Sequence, residues 1–484
     1  MEMPPFERYR PIVDDWEAFM DVLRQPLPVA VWANTLRTDP SSLARVLARA
    51  GQEVLPLAWR PGAFRLPPEA APGTLLAYLA GHLQIQEEAS MVPVRLLDPR
   101  PGERVLDLCA APGNKTAEIA VAMGNTGTVI ANDLSRGRLH ILRTTLDRLG
   151  LVNVTITRGD AAAFPLEAGS FDRVLCDVPC SCEGTVRKHP GVVRQSGPAF
   201  SRRLYERQRA ILHRAVELTR PGGRIVYATC TFAPEENEAV VAAVLSAFPG
   251  QLRLLPARLP GLHLAPGLTA WAGQRFPDDL GLTGRLWPHH NDTGGFFVAV
   301  LEKTDGAERT APPPAAFPAM TPPAAVEALC QHFGLAPEAL ASYALFRPNQ
   351  KYLALTSADH RPPVVPEREA TGMNLLKTTL RYPKLTTQAA MLLGGDVSRN
   401  VVNLSWPDTL AYLNRDVVHP GAGAREDTEP LGYVLVRHAG MPLGLGLLDR
   451  RAGPPTLKSL FPRNWGGLQP PFNFPAGAIY TPNA

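Results

Sequence analysis

Within FDRVLCDVPCSCEGTVRKHP (171–190), the apolar run Val174–Leu175–Cys176 delivers Asp177, Pro179 and Cys180 in quick succession. A carboxylate and a thiol at the end of a buried strand are both costly to desolvate without a task or a partner. The pair could serve nucleophilic and proton-handling chemistry. The same residues also read as a strand-end cap beside a structural cysteine, and on their own they leave both readings open. Cys180-x-Cys182 lacks a second cysteine pair or a histidine, so it is a weak zinc signal and no metal site is expected.

A second stretch, DLCAAPGNKT (107–116), follows the apolar run VLDLC (105–109) and opens a helix. A turn of small residues there lets backbone amides approach a ligand, and the helix N-terminus favours a negative group such as a carboxylate. G-x-G-x-x-G is absent, so this is not a dinucleotide fingerprint. Asp133 ends the next run about 20 residues after Gly113, where an acid typically accepts ribose hydroxyls. Asp160, in RGDA, holds the equivalent rim position after the third run. Each aspartate alone could be a helix cap. Together Asp107, Asp133, Asp160 and Asp177 on successive strand ends suggest an adenosine-containing cofactor without a pyrophosphate.

The elements that must position these groups alternate. Strands are expected at 105–109, 128–133, 153–157, 173–177 and 224–230, and helices at 115–123, 136–149, 202–219 and 235–247. Pro221-Gly222-Gly223 reads as a turn, and GGFFVAVLEK (294–303) as a late edge strand. This is the signature of an α/β, doubly wound, mainly parallel sheet. Before it, 14–23 and 41–50 read as helices, 27–35 as β-rich, 61–73 as loop and 85–97 as helical. After it, Thr304–Pro323 is Pro/Ala-rich and reads as a linker. GYVLVRHAGMPLGLGLLDR (432–450) contains two strand-like runs around an Ala-Gly turn, and Asn464–Ala484 lacks a regular pattern.

At 484 residues the chain is too long for one ordinary core. Its 45% hydrophobic and 19% charged residues describe a soluble globular protein, and a net charge of +4 permits an anionic partner without requiring one. No apolar run approaches the ~20 residues that cross a bilayer, and MEMPPFERYRPIVDDWEAF has no signal-like apolar stretch. Six cysteines without a matching framework argue for reduced thiols in a cytoplasmic protein.

CDVPCSCEGTVRK (176–188), YATCTFAPEENE (227–238) and DLCAAPGNKT together resemble the Sun-type RNA (cytosine-C5) methyltransferases. The resemblance extends over roughly residues 8–303, through PIVDDWEAFMDVLRQPLPVAVWANTLR (11–37), LQIQEEASMVPVRLL (83–97) and RLWPHHNDTGGFFVAVLEK (285–303). It implies a class I, Rossmann-like, S-adenosylmethionine-dependent methyltransferase acting on RNA. GYVLVRHAGMPLGLG more loosely resembles the PUA-like tail of bacterial ribosomal RNA members. The implied organisation is an N-terminal RNA-binding domain (1–85), a catalytic domain (86–303), a linker (304–324) and an α+β PUA-like RNA-binding domain (325–484).

The resemblance assigns Cys230 as nucleophile, Cys180 to proton removal or product release, and Asp177 to the base around N3. Cys109, Ala110, Ala111, Pro112, Gly113, Asn114 and Lys115 would cradle the methionine part of the cofactor. Asp133 would take the ribose and Asp160 the adenine, with Asp177 also bordering the cofactor. Arg187 and Lys188 would meet the RNA backbone or support the Asp177 region. The implied partner is small-subunit (16S) ribosomal RNA, the enzyme being a monomer; transfer RNA and a non-catalytic ribosome-assembly factor are the alternatives. A different mechanism, with Cys180 as nucleophile in the manner of DNA cytosine methyltransferases, is disfavoured by the separate Thr229-Cys230 motif. Three positions depart from the family pattern. Cys182 stands where Gly is usual, Val178 replaces a more usual Ala or Pro, and Trp32 stands where an Arg is common, offering stacking in place of an ionic RNA contact.

Overall fold

The computed structural model describes residues 4–306, 323–379, 384–463 and 465. Most of the expected linker and nearly all of 464–484 therefore lie outside the described residues. The central sheet has ten strands: β1 (Arg104–Asp107), β2 (Thr128–Asp133), β3 (Val154–Arg158), β4 (Phe171–Asp177), β5 (Thr219–Thr229), β6 (Leu252–Leu255), β7 (Ala265–Pro266), β8 (Gly284–Leu286), β9 (Phe296–Lys303) and β10 (Arg368–Thr371). Their order is β7-β8-β9-β5-β4-β1-β2-β3-β10, with β6 also paired to β9. The five strands from β5 to β3 in this order are mutually parallel. All six residues of β2 are buried, as expected for a parallel strand covered on both faces. The chain winds away from β1 in both directions, so the carboxyl ends of β1 and β4 form the switch point where this Rossmann-like architecture takes ligands.

The intervening helices are α1 (Asn114–Ala122), α2 (Arg136–Leu149), α3 (Pro198–Leu218) and α4 (Glu238–Ala247). α3 starts four residues before the expected Arg202 because Pro198 occupies its first turn, where the missing N–H costs nothing. α4 starts later than expected, because Glu235, Glu236 and Asn237 form a separate turn. Pro221–Gly223 is not a turn preceding the strand: it lies within β5, with a register irregularity opposite Phe171 and Arg173.

The expectation of a late edge strand is corrected. β9 lies inside the sheet, antiparallel to β5 on one side and to β6 and β8 on the other. Its run FFVAVL is buried throughout. The expected loop at 61–73 contains a strand, Ala63–Leu66, in a four-stranded antiparallel sheet with Val29–Ala33, Leu83–Ile85 and Leu55–Pro56. The expected helix at 85–97 is confined to Val92–Leu97 after a short 3-10 turn. The Ala-Gly turn stands: Leu431–His438 and Met441–Asp449 pair around Ala439 and Gly440, both at positive φ, as a tight hairpin requires.

Packing runs across both expected domain boundaries. Phe6, Tyr9 and Phe19 pack on Phe232 and Trp287. Val31, Leu76 and Leu83 share a core with Val402, Leu443 and Leu457. β10, from the C-terminal part, extends the central sheet beside β3. Among the described residues no helix is long and apolar enough to cross a membrane.

Candidate active site

The carboxyl ends of β1, β2, β4 and β5 surround a cavity of about 500 Å³ whose lining includes Cys109, Ala111, Asp133, Asp177, Cys180 and Cys230. The loop after β1 is held against β2: Ala110 N–H donates to the Asn132 carbonyl at 2.8 Å, and Ala111 N–H to Asp133 Oδ2 at 3.2 Å. Asp133 Oδ1 accepts from Ser135 N–H at 2.9 Å, and Arg138 pairs with Oδ2 at 3.3 Å while also donating to the Ala111 carbonyl. Gly113 sits at φ +107°, and a Cβ there would press to 3.0 Å on Leu142, so this turn admits only glycine without rearrangement.

Asp177 at the end of β4 accepts from Lys115 Nζ at 2.7 Å, and that ammonium also lies 5.5 Å from the centre of the Phe296 ring. Burial would discharge Lys115, but the Asp177 carboxylate outweighs it and holds the amine above its ordinary range. Asp107 is fully buried; its Oδ2 accepts from Thr116 Oγ1 at 2.7 Å. Burial, aided by the Asp177 charge, pushes its carboxyl up to about 7, with the Thr116 bond opposing.

The thiols converge. Cys180 Sγ lies 3.4 Å from Cys230 Sγ and 4.0 Å from Cys182 Sγ. Cys182 has φ +59°, the left-handed conformation that glycine adopts freely and other residues adopt at a cost. Bonds from the Cys180 and Cys230 thiols hold the Cys182 thiol far below its ordinary range. The Cys180 thiol is pushed up by its bonds to Cys182 and Cys230 and by burial. For Cys230 the Cys180 bond acts downward but is outweighed by Cys182, burial and Asp177.

The residues beside these thiols lock their loops together. Ser181 and Thr231 join hydroxyl to hydroxyl at 2.7 Å. Buried Glu236 accepts from Ser181 N–H and from Gln208 Nε2, each at 2.9 Å. Glu183 accepts from Tyr9 Oη at 2.6 Å and from Thr231 Oγ1 at 3.1 Å. Glu236 and Arg138 did not emerge as site residues from the sequence, although Glu236 lies inside the YATCTFAPEENE motif.

Four expectations change. Arg187 is not an RNA contact: its side chain is 1% exposed and its guanidinium donates to the carbonyls of Gln25, Pro26 and Thr293 and to Asp292. Lys188 beside it is exposed. Trp32 cannot stack on RNA, being fully buried with its indole N–H on Gln86 at 2.8 Å. Asp160 caps the turn after β3 through Ala162 N–H and is half-exposed; its neighbours Gly159 and Ala161, not its carboxylate, line the cavity. Within the expected cradle, Lys115 serves Asp177, and Asn114 accepts from Gln84 Nε2 at 2.7 Å rather than facing the cavity. Ala110 and Pro112 complete the loop, of which Cys109 and Ala111 reach the cavity.

The sequence profile of the family described as "16S rRNA methyltransferase RsmB/F" matches residues 94–302. A mouse "28S rRNA (cytosine-C(5))-methyltransferase" is 37% identical over 292 residues, 59% of this chain and 36% of that protein. The chain thus spans about a third of the length of this mammalian relative. The "tRNA (cytosine(49)-C(5))-methyltransferase" of Pyrococcus abyssi is 36% identical over 299 residues, 61% of this chain and 94% of that protein. The crystal structure of a methyltransferase homolog protein from Pyrococcus horikoshii superposes with a TM-score of 0.54 at 29% identity, covering 63% of this chain and all of that one. With two separate cysteine motifs meeting in one cavity and a near full-length match to the archaeal relative, this chain belongs to the Sun-type RNA (cytosine-C5) methyltransferase family.

Proposed function

We propose that this protein methylates C5 of a cytosine in RNA through a transient bond between Cys230 and C6 of the base, using S-adenosylmethionine. The observation that carries this reading is the 3.4 Å approach of Cys180 and Cys230 sulfurs beside Asp177 in one cavity. The cavity suits that cofactor: the buried Asp133 carboxylate fits a ribose diol, and the backbone of Cys109–Ala111 presents small residues to a close ligand. When bound, the cofactor supplies an electrophilic methyl group.

The chain's own residues then do the following. C5 of cytosine is a poor nucleophile, and addition of the Cys230 thiolate to C6 turns it into an enamine-like carbon. Asp177, held by Lys115, faces the cavity. As Cys230 adds, its S–H proton ends on N3 of the base, and the Asp177 carboxylate accepts a hydrogen bond from that N3–H until elimination returns the proton to Cys230. Cys180 first gives its S–H proton to solvent and then, as a thiolate, accepts the proton leaving C5, and the electrons of that C–H bond restore the ring double bond as the Cys230–C6 bond breaks. The base must be unstacked to reach these groups.

Within RNA, the preferred substrate is small-subunit ribosomal RNA, supported by the family description and by the C-terminal sheet, which we read as an RNA-binding, PUA-like unit. Transfer RNA is the second reading, favoured by the extent of the match to the archaeal relative. Arg202, Arg203 and Arg207 on the exposed face of α3, with Lys188, supply positive charge for the phosphate backbone. The proposed setting is a monomer in a reducing cytoplasm, where its unpaired cysteines persist as thiols. Bisulfite mapping of total RNA from cells with and without the protein tests the function. A cytosine in 16S rRNA that loses protection supports the first reading, one in tRNA the second, and no change overturns both.

A further inference from the structure

The third thiol, Cys182, has no part in the chemistry above, yet it shares the cavity with the two that do. The three sulfurs lie within 4.8 Å of one another, with two of the separations at 3.4 and 4.0 Å. Thiolates on a tetrahedral zinc at a Zn–S distance of about 2.3 Å are spaced by roughly 3.8 Å. The three sulfurs thus already stand near the spacing of three corners of a thiolate tetrahedron. Carrying a side chain at φ +59° is a local cost, and such costs persist where the surroundings make use of them. Cys182 spends that strain on bringing its sulfur to the catalytic pair.

We propose that Cys180, Cys182 and Cys230 form a three-thiolate site for a soft divalent cation such as zinc or cadmium. All three residues line the cavity, so an ion reaches them without opening the core, and the fourth corner is left to water. Each ligand that still carries an S–H proton gives it up to solvent as its S–metal bond forms, and nothing is oxidised or reduced. Three thiolates around a divalent ion carry one net negative charge, and the Arg138 guanidinium acts electrostatically on Cys182 to balance it. The pair Cys180 and Cys230 alone supplies only two ligands. Cys182 completes the site. While the ion is held, the Cys230 lone pair is engaged and cannot add to a base, so occupancy blocks the reaction and chelation restores it.

The test is a cadmium titration of the full-length, reduced protein, followed by the ultraviolet thiolate-to-cadmium charge-transfer band. One equivalent is expected to saturate a band of three-thiolate intensity. Cys182→Gly, which suits the left-handed backbone and so preserves the loop, should lose about a third of the band and weaken binding by roughly 100-fold. Cys182→Ser provides a second variant that retains the side-chain shape, with the same expected loss. Cys330→Ser, in a distant helix, should leave the titration unchanged. An unchanged band and affinity in both Cys182 variants, or no saturable band in the wild type, overturns the proposal. These readouts do not depend on methyl transfer, so they stand apart from the test of the enzymatic function.

Discussion

Gly184 donates its backbone N–H to the carbonyl of Cys230 at 2.9 Å, tying the loop that carries Cys180 to the end of β5. Gly295 in turn donates to the Gly184 carbonyl at 2.8 Å, so three chain segments meet backbone to backbone. A Cβ on residue 184 would collide with the Gly295 carbonyl oxygen. Gly184→Ala therefore forces the loop outward and separates the two thiols. Overpacking of this kind costs about 1–3 kcal/mol, and displacing a reacting group by about 1 Å costs roughly 100-fold in rate. The expected outcome is a lowered urea midpoint together with a collapse in methyl incorporation. A variant with wild-type turnover would show that the crossing does not set the thiol geometry.

The two thiols have separable roles. RNA carrying 5-fluorocytosine cannot release the C5 substituent as a proton, so the covalent adduct accumulates. Cys230→Ser is expected to give no adduct, whereas Cys180→Ala should still form one, visible as a band of increased mass on a denaturing gel. An adduct lost only in the Cys180 variant would reverse the assignment.

The neighbouring cations Arg187 and Lys188 are expected to behave differently. Arg187 is buried and satisfies three carbonyls and a carboxylate, so Arg187→Ala should lower the unfolding free energy by about 3 kcal/mol. Lys188→Ala should leave the unfolding midpoint unchanged, weaken RNA binding, and reduce the slope of log affinity against log salt by less than about one. Calorimetry and filter binding across a salt series distinguish the two. Equal thermal losses in both variants would contradict the division.

The difference between these two residues indicates what the sequence could convey. Parallel strands covered on both faces announce themselves as apolar runs, and their carboxyl ends hold the reactive groups. β1 to β5, the loop at 107–116 and the thiols were therefore legible. Whether β9 lies inside the sheet depends on β6 and β8, short strands with no alternating pattern of their own. β10 joins β3 from more than two hundred residues away, which local pattern cannot foretell. Arg187 and Trp32 are types that suit RNA equally well on a surface; only the folded chain surrounds them with acceptors and apolar walls. Glu236 and Arg138 were hidden for the same reason, since their partners Ser181 and Asp133 belong to other elements.

Stability should respond to pH through two buried groups of opposite sign. Asp107 in the folded chain titrates near 7, against about 4 for a free aspartate. Between those values the folded state holds a proton that the unfolded state has released, so stability falls as pH rises through this window, by up to about 4 kcal/mol. Replacing it with Asn, which still accepts from Thr116 through its amide oxygen, removes that loss. Asp107→Asn should gain stability relative to wild type progressively from pH 4 to 7 and no further above it. His360 runs the other way. Its Nδ1–H donates to the Gly127 carbonyl at 3.3 Å and its Nε2 accepts from the Thr155 hydroxyl at 2.8 Å, fixing it to the catalytic sheet as a neutral ring. Burial depresses its titration to about 3, below the ordinary 6.5, so the unfolded state takes up a proton first as pH falls between those values. The wild type is destabilised over that window, and His360→Gln should gain relative stability as pH drops from 6.5 toward 3. Urea midpoints of wild type and both variants, measured from pH 3.5 to 8, single out each group because groups not coupled to it cancel in the differences. A flat difference profile for Asp107→Asn would place the Asp107 proton in the ordinary carboxylate range and show that burial does not raise it.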